Sequence, residues 1–167
     1  MHDVNTNAQR ADVIADFARS ELFGRTFQEG MDLVEESAAY LDGAGRQESK
    51  SLSRNAALSY ASESMRLTTR LMQVASWLLV QRAVREGDMP PLNACEARYR
   101  LASEDMAAGR NIPEDMPAGL KALLERSERL FERVRHLDRR MYVEQTVTDA
   151  TNPVAGHLDR LRSAFGG

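Results

Sequence analysis

Few residues in this sequence have the type and spacing that metal binding requires. The three histidines are His2, His136 and His157, and the single cysteine is Cys95. Zinc and di-iron sites need several converging ligands, such as histidine with carboxylates one helical turn away. His136 follows Glu132 by one turn, but no second histidine lies within the long helical patterns described below. The sequence therefore predicts no metal site.

Catalytic patterns that do not depend on a metal are also incomplete. Cys95 has no histidine base near it in the sequence, which argues against a nucleophilic thiol. A phosphotransfer helix would carry a lysine and a small residue shortly after its histidine, whereas His136 is followed by "LDRRMY". The adjacent Glu35 and Glu36 would point about 100° apart on a helix, which is a poor geometry for shared acid–base work. We therefore expect no catalytic residue, no cofactor and no enzymatic activity.

The composition favours an all-helical protein. The chain has 167 residues, of which 43% are hydrophobic and 28% are charged, with 22 Ala and 18 Leu against 2 Ile. Alanine and leucine are strong helix formers, whereas sheets favour β-branched and aromatic residues. A net charge of −3 argues against nucleic-acid binding, which needs a basic surface. The longest apolar run, 74–80, is too short to span a membrane, so we expect a cytoplasmic protein that binds neither nucleic acid nor membrane.

Hydrophobic periodicity predicts three long helices, over about 20–42, 54–86 and 118–145. Gly87 suits the end of the second helix, and Pro117 suits the start of the third. The predicted fold is an all-α, antiparallel three-helix bundle with a long central helix.

The bundle is predicted to occupy 20–145, with a long connection at 87–117 that holds four of the five prolines. Connections of that length are usually functional or mobile. Residues 1–19 are predicted to form a flexible N-terminal arm, and residues 146–167 a flexible C-terminal tail.

The central helix carries two apolar stripes at helical spacing. One stripe consists of Leu58, Ala61, Met65, Met72, Ala75 and Leu79, and the other of Tyr60, Leu67, Leu71, Val74 and Leu78. Because a helix with two apolar stripes needs two packing partners, both stripes are predicted to be buried in the bundle.

The end of the central helix is apolar nearly all round. Trp77, Val80 and Val84 fall on the strip between the two stripes, which is polar earlier in the helix. Apolar patches and tryptophan anchors are typical of protein interfaces, so these three residues are predicted to form a homodimer or partner interface. The alternative is that the N-terminal arm or the long connection covers this end of the helix.

The C-terminal tail carries one weak amphipathic pattern. Its apolar residues are spaced as one face of a helix, and they are Val154, Leu158, Leu161 and Phe165. We predict that these residues anchor the tail to a partner groove. The alternative is a tail with no role.

The net charge differs in sign between the predicted helices. The segment 20–42 has a net charge of −5, whereas 54–86 and 118–145 have net charges of +3 and +2. The simplest interpretation is an acidic helix that packs beside two basic ones through surface ion pairs. The alternative is that an acidic or basic strip meets a partner.

Three stretches of the sequence resemble the RcdA family, the regulator of CtrA degradation of alphaproteobacteria. They are "EGMDLVEESAAYLDGAGR" (29–46), "YASESMRLTTRLMQVASWLLVQRAVREG" (60–87) and "LLERSERLFERVRHLDRRMY" (123–142). The resemblance implies a dimeric three-helix bundle with a disordered C-terminal tail.

The resemblance also implies a function. A member of this family is expected to be a non-enzymatic adaptor in cell-cycle proteolysis that brings substrates, CtrA among them, to the ClpXP protease. Its expected partners are a response-regulator-like adaptor and a cyclic-di-GMP-binding one, and association with the cell pole is a further expectation. A competing interpretation is a dimeric helical scaffold or regulator that never contacts a protease.

Overall fold

The structure, a computed structural model, describes residues 2–101 and 112–144, with side chains described for 4–101 and 112–142. This part of the chain is helical and contains no strand. Its five α-helices are α1 (His2–Arg19), α2 (Glu21–Asp42), α3 (Ala44–Ser49), α4 (Arg54–Glu86) and α5 (Ala118–Arg139). Two 3₁₀ turns, Pro91–Cys95 and Ala97–Tyr99, follow α4, and a π-helical turn, Arg140–Glu144, continues α5. The all-α prediction is confirmed.

Local capping sets where the long helices begin and end. The Ser20 hydroxyl accepts a hydrogen bond from the Phe23 N–H, and Ser53 does the same for the Ala56 N–H. Gly87 ends α4 with φ of 81°, in the left-handed region that glycine adopts without strain. These caps explain why the bounds predicted for the second long helix agree with α4, and why those of the first agree closely with α2.

The relative directions of the helices follow from their cross-helix contacts. Glu29 and Glu36 of α2 pair with Arg133 and Arg126 of α5, so these two helices run antiparallel. Phe27 of α2 lies under the guanidinium of Arg82 near the end of α4, with 5.5 Å between the guanidinium carbon and the ring centroid. Gly30 faces Leu78 so closely that a Cβ would lie 2.5 Å from its Cδ1 atom. Helix α2 is therefore antiparallel to α4 as well.

Helices α4 and α5 run parallel, which corrects the predicted antiparallel three-helix bundle. Arg70 of α4 contacts Ser127 of α5, and Trp77 contacts Asp138 further along both helices. The chain must therefore return from the end of α4 to its beginning, where Ser53 donates a hydrogen bond to Asp115. Since a 33-residue helix is about 50 Å long, at least about 15 extended residues are needed for the return. This geometry explains the length of the 87–117 connection.

Helix α1 replaces the flexible arm predicted for residues 1–19. Ile14 and Ala18 are fully buried, and the Phe17 ring lies 5.8 Å from the Phe23 ring and 6.0 Å from the Trp77 ring. The sequence pattern around Ile14 and Phe17 is too short to indicate a helix by itself. Contacts with α2 and α4 supply the missing stabilisation, since most helical stability in proteins comes from packing. The predicted tail, 146–167, lies outside the described residues.

The structure buries one of the two predicted stripes of α4 and exposes the other. Leu67, Leu71, Val74 and Leu78 are at most 4% exposed, as predicted, and Tyr60 is half-buried. The prediction was wrong for Leu58, Met65, Met72 and Leu79, which are 51–73% exposed. Both stripes are apolar, but the packing of α4 against its neighbours buries only the first set and leaves the large side chains of the second set exposed. The ion-pair interpretation is confirmed for α2 and α5 by the two Glu–Arg pairs above.

Two neighbouring leucines test which side of α4 forms the core. We expect Leu78→Asp to unfold the chain, because a buried, unpaired carboxylate costs several kcal/mol against a total stability of about 5–15 kcal/mol. The matched variant Leu79→Asp should retain its helix content, since Leu79 is 51% exposed. Circular dichroism with thermal melting measures both. Equal melting temperatures for the two variants would contradict the assignment.

Candidate protein interface

The exposed side of α4 forms a long surface without charge. Every exposed residue of α4 from position 58 to position 79 is uncharged, and we call this set the α4 outer face: Leu58, Ala61, Ser62, Met65, Thr68, Thr69, Met72, Ser76 and Leu79. Its four large side chains, at 58, 65, 72 and 79, recur every seven residues, the repeat of a helix–helix seam. By contrast, exposed positions of α5 hold Glu125, Arg126, Glu128, Arg129 and Glu132. An apolar helix face of this kind indicates a protein interface.

A groove opens beside the α4 outer face. Its volume is about 450 Å³. It is lined by Met72, Trp77 and Val80 of α4 and by Tyr99 and Leu101 of the connection. The apolar side chains of the groove extend the surface of the α4 outer face towards the 3₁₀ turns. Concave, mostly apolar surfaces of this size are typical of sites that accept a side chain or a small ligand.

The structure places the predicted interface residues inside the chain. Trp77 is 2% exposed and Val84 is 6% exposed, while Val80 is half-buried at the groove. Helix α1 contributes Phe17 to the cover over Trp77. An interface through Trp77 and Val84 would require α1 to move away, and the assignment of these residues to an interface stays a prediction.

A buried carboxylate joins three parts of the chain at this end of the molecule. Asp138 of α5 accepts a hydrogen bond from Trp77 Nε1 (3.0 Å) and two from Arg100 of the connection, both at 2.8 Å. The exposed fraction of the Asp138 side chain is 7%, and that of Arg100 is 22%. Burial lowers the pKa of Arg100, but the hydrogen bond and charge of Asp138 outweigh it, so the pKa lies above its ordinary value. Arg100 therefore stays charged, and its contact with Asp138 holds the connection against α4 and α5.

Tyr142 extends this network into the π-helical turn. Its hydroxyl accepts a hydrogen bond from Gln81 Nε2 at 2.7 Å, and its ring centroid lies 4.4 Å from the Arg100 guanidinium carbon. Burial raises the pKa of the Tyr142 hydroxyl, which therefore stays protonated. The network therefore ties the π-helical turn to α4.

The residues considered for chemistry are not brought together. His136 is exposed on α5, and Cys95 is half-buried in the first 3₁₀ turn. Burial raises the pKa of the Cys95 thiol, which is opposite to the shift that a nucleophilic cysteine needs. Within the described ranges, no three histidine, cysteine or acidic side chains cluster so as to hold a metal ion. None of the helices in these ranges combines the length and the hydropathy of a membrane-spanning segment.

Sequence reasoning missed the α4 outer face, although the signal was present. The seven-residue repeat of large side chains and the absence of exposed charge on that stripe are both visible in the sequence. The same signals also fit a second core stripe, which is the prediction that the structure contradicts. The predicted tail anchors, Val154, Leu158, Leu161 and Phe165, lie outside the described residues and stay a prediction.

Comparison with known proteins identifies the family. A family model described as a protein of unknown function (DUF1465) matches residues 14–165. Among solved structures, the crystal structure of RcdA from Caulobacter crescentus CB15 is 71% identical, with a TM-score of 0.65. The match covers 77% of this chain and 98% of that one. The chain belongs to the RcdA family. A comparison with curated proteins finds no match.

Membership of the RcdA family confirms the resemblance found in the sequence. At 71% identity, most side chains of the two proteins are the same, so the helical architecture is expected to be shared. The helices that carry the α4 outer face and the Asp138 network lie within residues 14–165, which the family model matches. Both features therefore lie in the part of the chain that defines the family.

The Asp138 network is expected to contribute strongly to stability. Arg100→Ala leaves the buried carboxylate without its cation, and breaking a buried pair in this way costs about 3–5 kcal/mol. The matched control is Arg98→Ala, because the Arg98 side chain is 68% exposed and pairs within the connection with Glu96. An exposed pair of this kind contributes only about 0–1 kcal/mol. Urea unfolding measures both variants, and equal midpoints would contradict the role of Arg100.

Proposed function

We propose that the chain is a non-enzymatic adaptor that promotes degradation of cell-cycle proteins such as CtrA by the ClpXP protease. Its partners in this role are the protease system, substrate proteins and a response-regulator-like adaptor. Membership of the RcdA family supports the proposal, since the resemblance to that family implies this role. The observation in this chain that carries it is the α4 outer face, an uncharged surface that a protein binding several partners can use.

We further propose that the chain acts as a homodimer through the α4 outer face. In an antiparallel pair of α4 helices, Leu58 of one copy lies opposite Leu79 of the other, and Met65 lies opposite Met72. Both pairings share one midpoint, between Thr68 and Thr69, as a two-fold axis requires. The absence of exposed charge from position 58 to position 79 means that no like charges meet across that axis. The small residues Ala61 and Ser76 would lie opposite one another and allow close approach.

A reconstituted degradation assay tests the adaptor role. With ClpXP, a CtrA-type substrate and the other adaptors present, we expect the parent chain to increase the rate of substrate loss. Replacement of the four predicted tail anchors, Val154, Leu158, Leu161 and Phe165, by serine should reduce that rate while the melting temperature stays unchanged. If the parent chain leaves the rate unaltered, the adaptor proposal is wrong and the scaffold interpretation is favoured.

Sedimentation tests the homodimer separately. The double variant Met65→Glu with Met72→Glu would place four carboxylates at the centre of the paired helices. Since like charges buried together repel, we expect this variant to sediment as a monomer with its helix content intact. Leu22→Glu, at a 51% exposed position on α2, is the matched control and should remain dimeric. A parent chain that sediments as a monomer at micromolar concentration would refute the proposed dimer.

A further inference from the structure

Helix α1 packs against α2, α4, the first 3₁₀ turn and the π-helical turn, but it contributes few buried apolar side chains to these contacts. Its buried residues are Ile14 and Ala18, with Phe17 half-buried between them, and all three lie in its last two turns. The first turns are largely exposed, and Val4, for example, is 77% exposed. Near the middle of α1, Arg10 buries its Nε atom without a hydrogen-bond partner, an arrangement that weakens the docked state.

The junction between α1 and α2 permits α1 to separate without disrupting α2. Ser20 is the only residue between the two helices, and its backbone is extended, with φ of −71° and ψ of 154°. Its hydroxyl donates to the Phe17 carbonyl and accepts from the Phe23 N–H. Loss of α1 would break only the first of these hydrogen bonds, so the cap of α2 would remain.

Separation of α1 would uncover an aromatic surface that the rest of the fold keeps in place. This surface, which we call the Trp77 surface, consists of Trp77, Val84 and Phe23. Trp77 and Val84 are seven residues apart and therefore share one side of α4. The hydrogen bond from Trp77 Nε1 to Asp138 does not involve α1, so it would hold the indole in position. A buried aromatic side chain fixed in this way is typical of an interface anchor.

Charge beside the Trp77 surface indicates which helix it would accept. A crevice of about 440 Å³ opens where α1 meets α2 and α4, and it is lined by Arg19, Arg25 and Arg85, with Glu21 as the one acid. Arg85 and the Arg25–Glu21 ion pair would remain after α1 left, with a net positive charge. A docked helix would present its last turn here, where its partly negative C-terminal end and any carboxylates would be favoured. Helix α1 itself carries one acid, Asp16, and one base, Arg19, in that turn.

We propose that the Trp77 surface is a docking site for an amphipathic helix with acidic residues in its last turn, and that α1 is its displaceable intramolecular occupant. The site is distinct from the α4 outer face and does not depend on the adaptor role. The predicted interface through Trp77 and Val84 would then exist in the form of the chain from which α1 has separated. A partner helix that matches α1 in pattern would compete with it.

Hydrogen exchange on the full-length parent chain tests the separation of α1. We expect amides 10–18 to exchange by local separation of α1, whereas the α4 amides around Trp77 exchange only in a larger opening. The protection factors of amides 10–18 should therefore be at least about tenfold lower than those of the α4 amides. Exchange of both sets at one common rate would mean that α1 opens only when the whole chain unfolds, and would overturn the proposal.

Tryptophan fluorescence reports directly on whether α1 shields Trp77 from solvent, because Trp77 is the only tryptophan in the chain. The Ile14 side chain is fully buried only in the closed form, in which α1 is docked. Ile14→Ala should therefore raise the population of the open form, in which α1 has separated, about a hundredfold. Iodide should then quench Trp77 more strongly than in the parent, with the helix content of α2, α4 and α5 retained. The matched control, Val13→Ala, changes a residue that is 38% exposed and should quench like the parent. Equal quenching in the parent and the Ile14→Ala variant would contradict the proposal.

A synthetic peptide of residues 2–19 serves as the probe for the docking site. Added to the full-length Ile14→Ala variant, it should restore the low quenching of the parent. The same peptide with Asp16→Arg should bind more weakly, because it adds a positive charge to the last turn, which docks beside Arg25 and Arg85. Failure of the unmodified peptide to change the quenching would reject the docking site, and equal binding of the two peptides would reject its preference for acidic helices.

Discussion

The buried carboxylate of Asp138 is the contact on which the functional end of the molecule depends. It lies on α5, accepts a hydrogen bond from Trp77 of α4, and forms an ion pair with Arg100 of the connection. A charge in such a position is tolerated only because each of its oxygens is hydrogen-bonded. The same contact therefore aligns two parallel helices, fixes the start of the returning chain, and orients the indole that α1 covers.

Parallel packing of α4 and α5 has a further consequence for the surface. Helix α2 packs against both of them, and α1 covers the end of α4, while one side of α4 stays exposed from position 58 to position 79. That side is the α4 outer face. In a protein with 28% charged residues, about six turns of helix whose exposed side chains are all uncharged have no explanation in the stability of a single chain. Association with another helix would bury the large side chains at 58, 65, 72 and 79.

Two apolar surfaces of different kinds thus lie on the same helix. The α4 outer face is open and consists mainly of methionine, leucine and small residues, which adapt readily to a partner. The Trp77 surface is aromatic, held rigid by Asp138, and occupied by α1. Under the two proposals above, α4 would engage one partner continuously and a second only after displacement of α1, which would give a physical basis for ordered assembly of a protein complex.

The sequence by itself determined the class of fold and the bounds of the long helices. Those properties depend on local effects, namely the periodicity of apolar residues, the serine caps at Ser20 and Ser53, and the glycine at Gly87. Only the tertiary structure decided which apolar stripe of α4 is buried, that α4 and α5 are parallel, and that α1 docks. Leu78 and Leu79 are the same residue type at adjacent positions, yet one is fully buried and the other is 51% exposed. The difference arises from side chains of α2 and α5 that are distant in sequence, and periodicity within α4 contains no information about them.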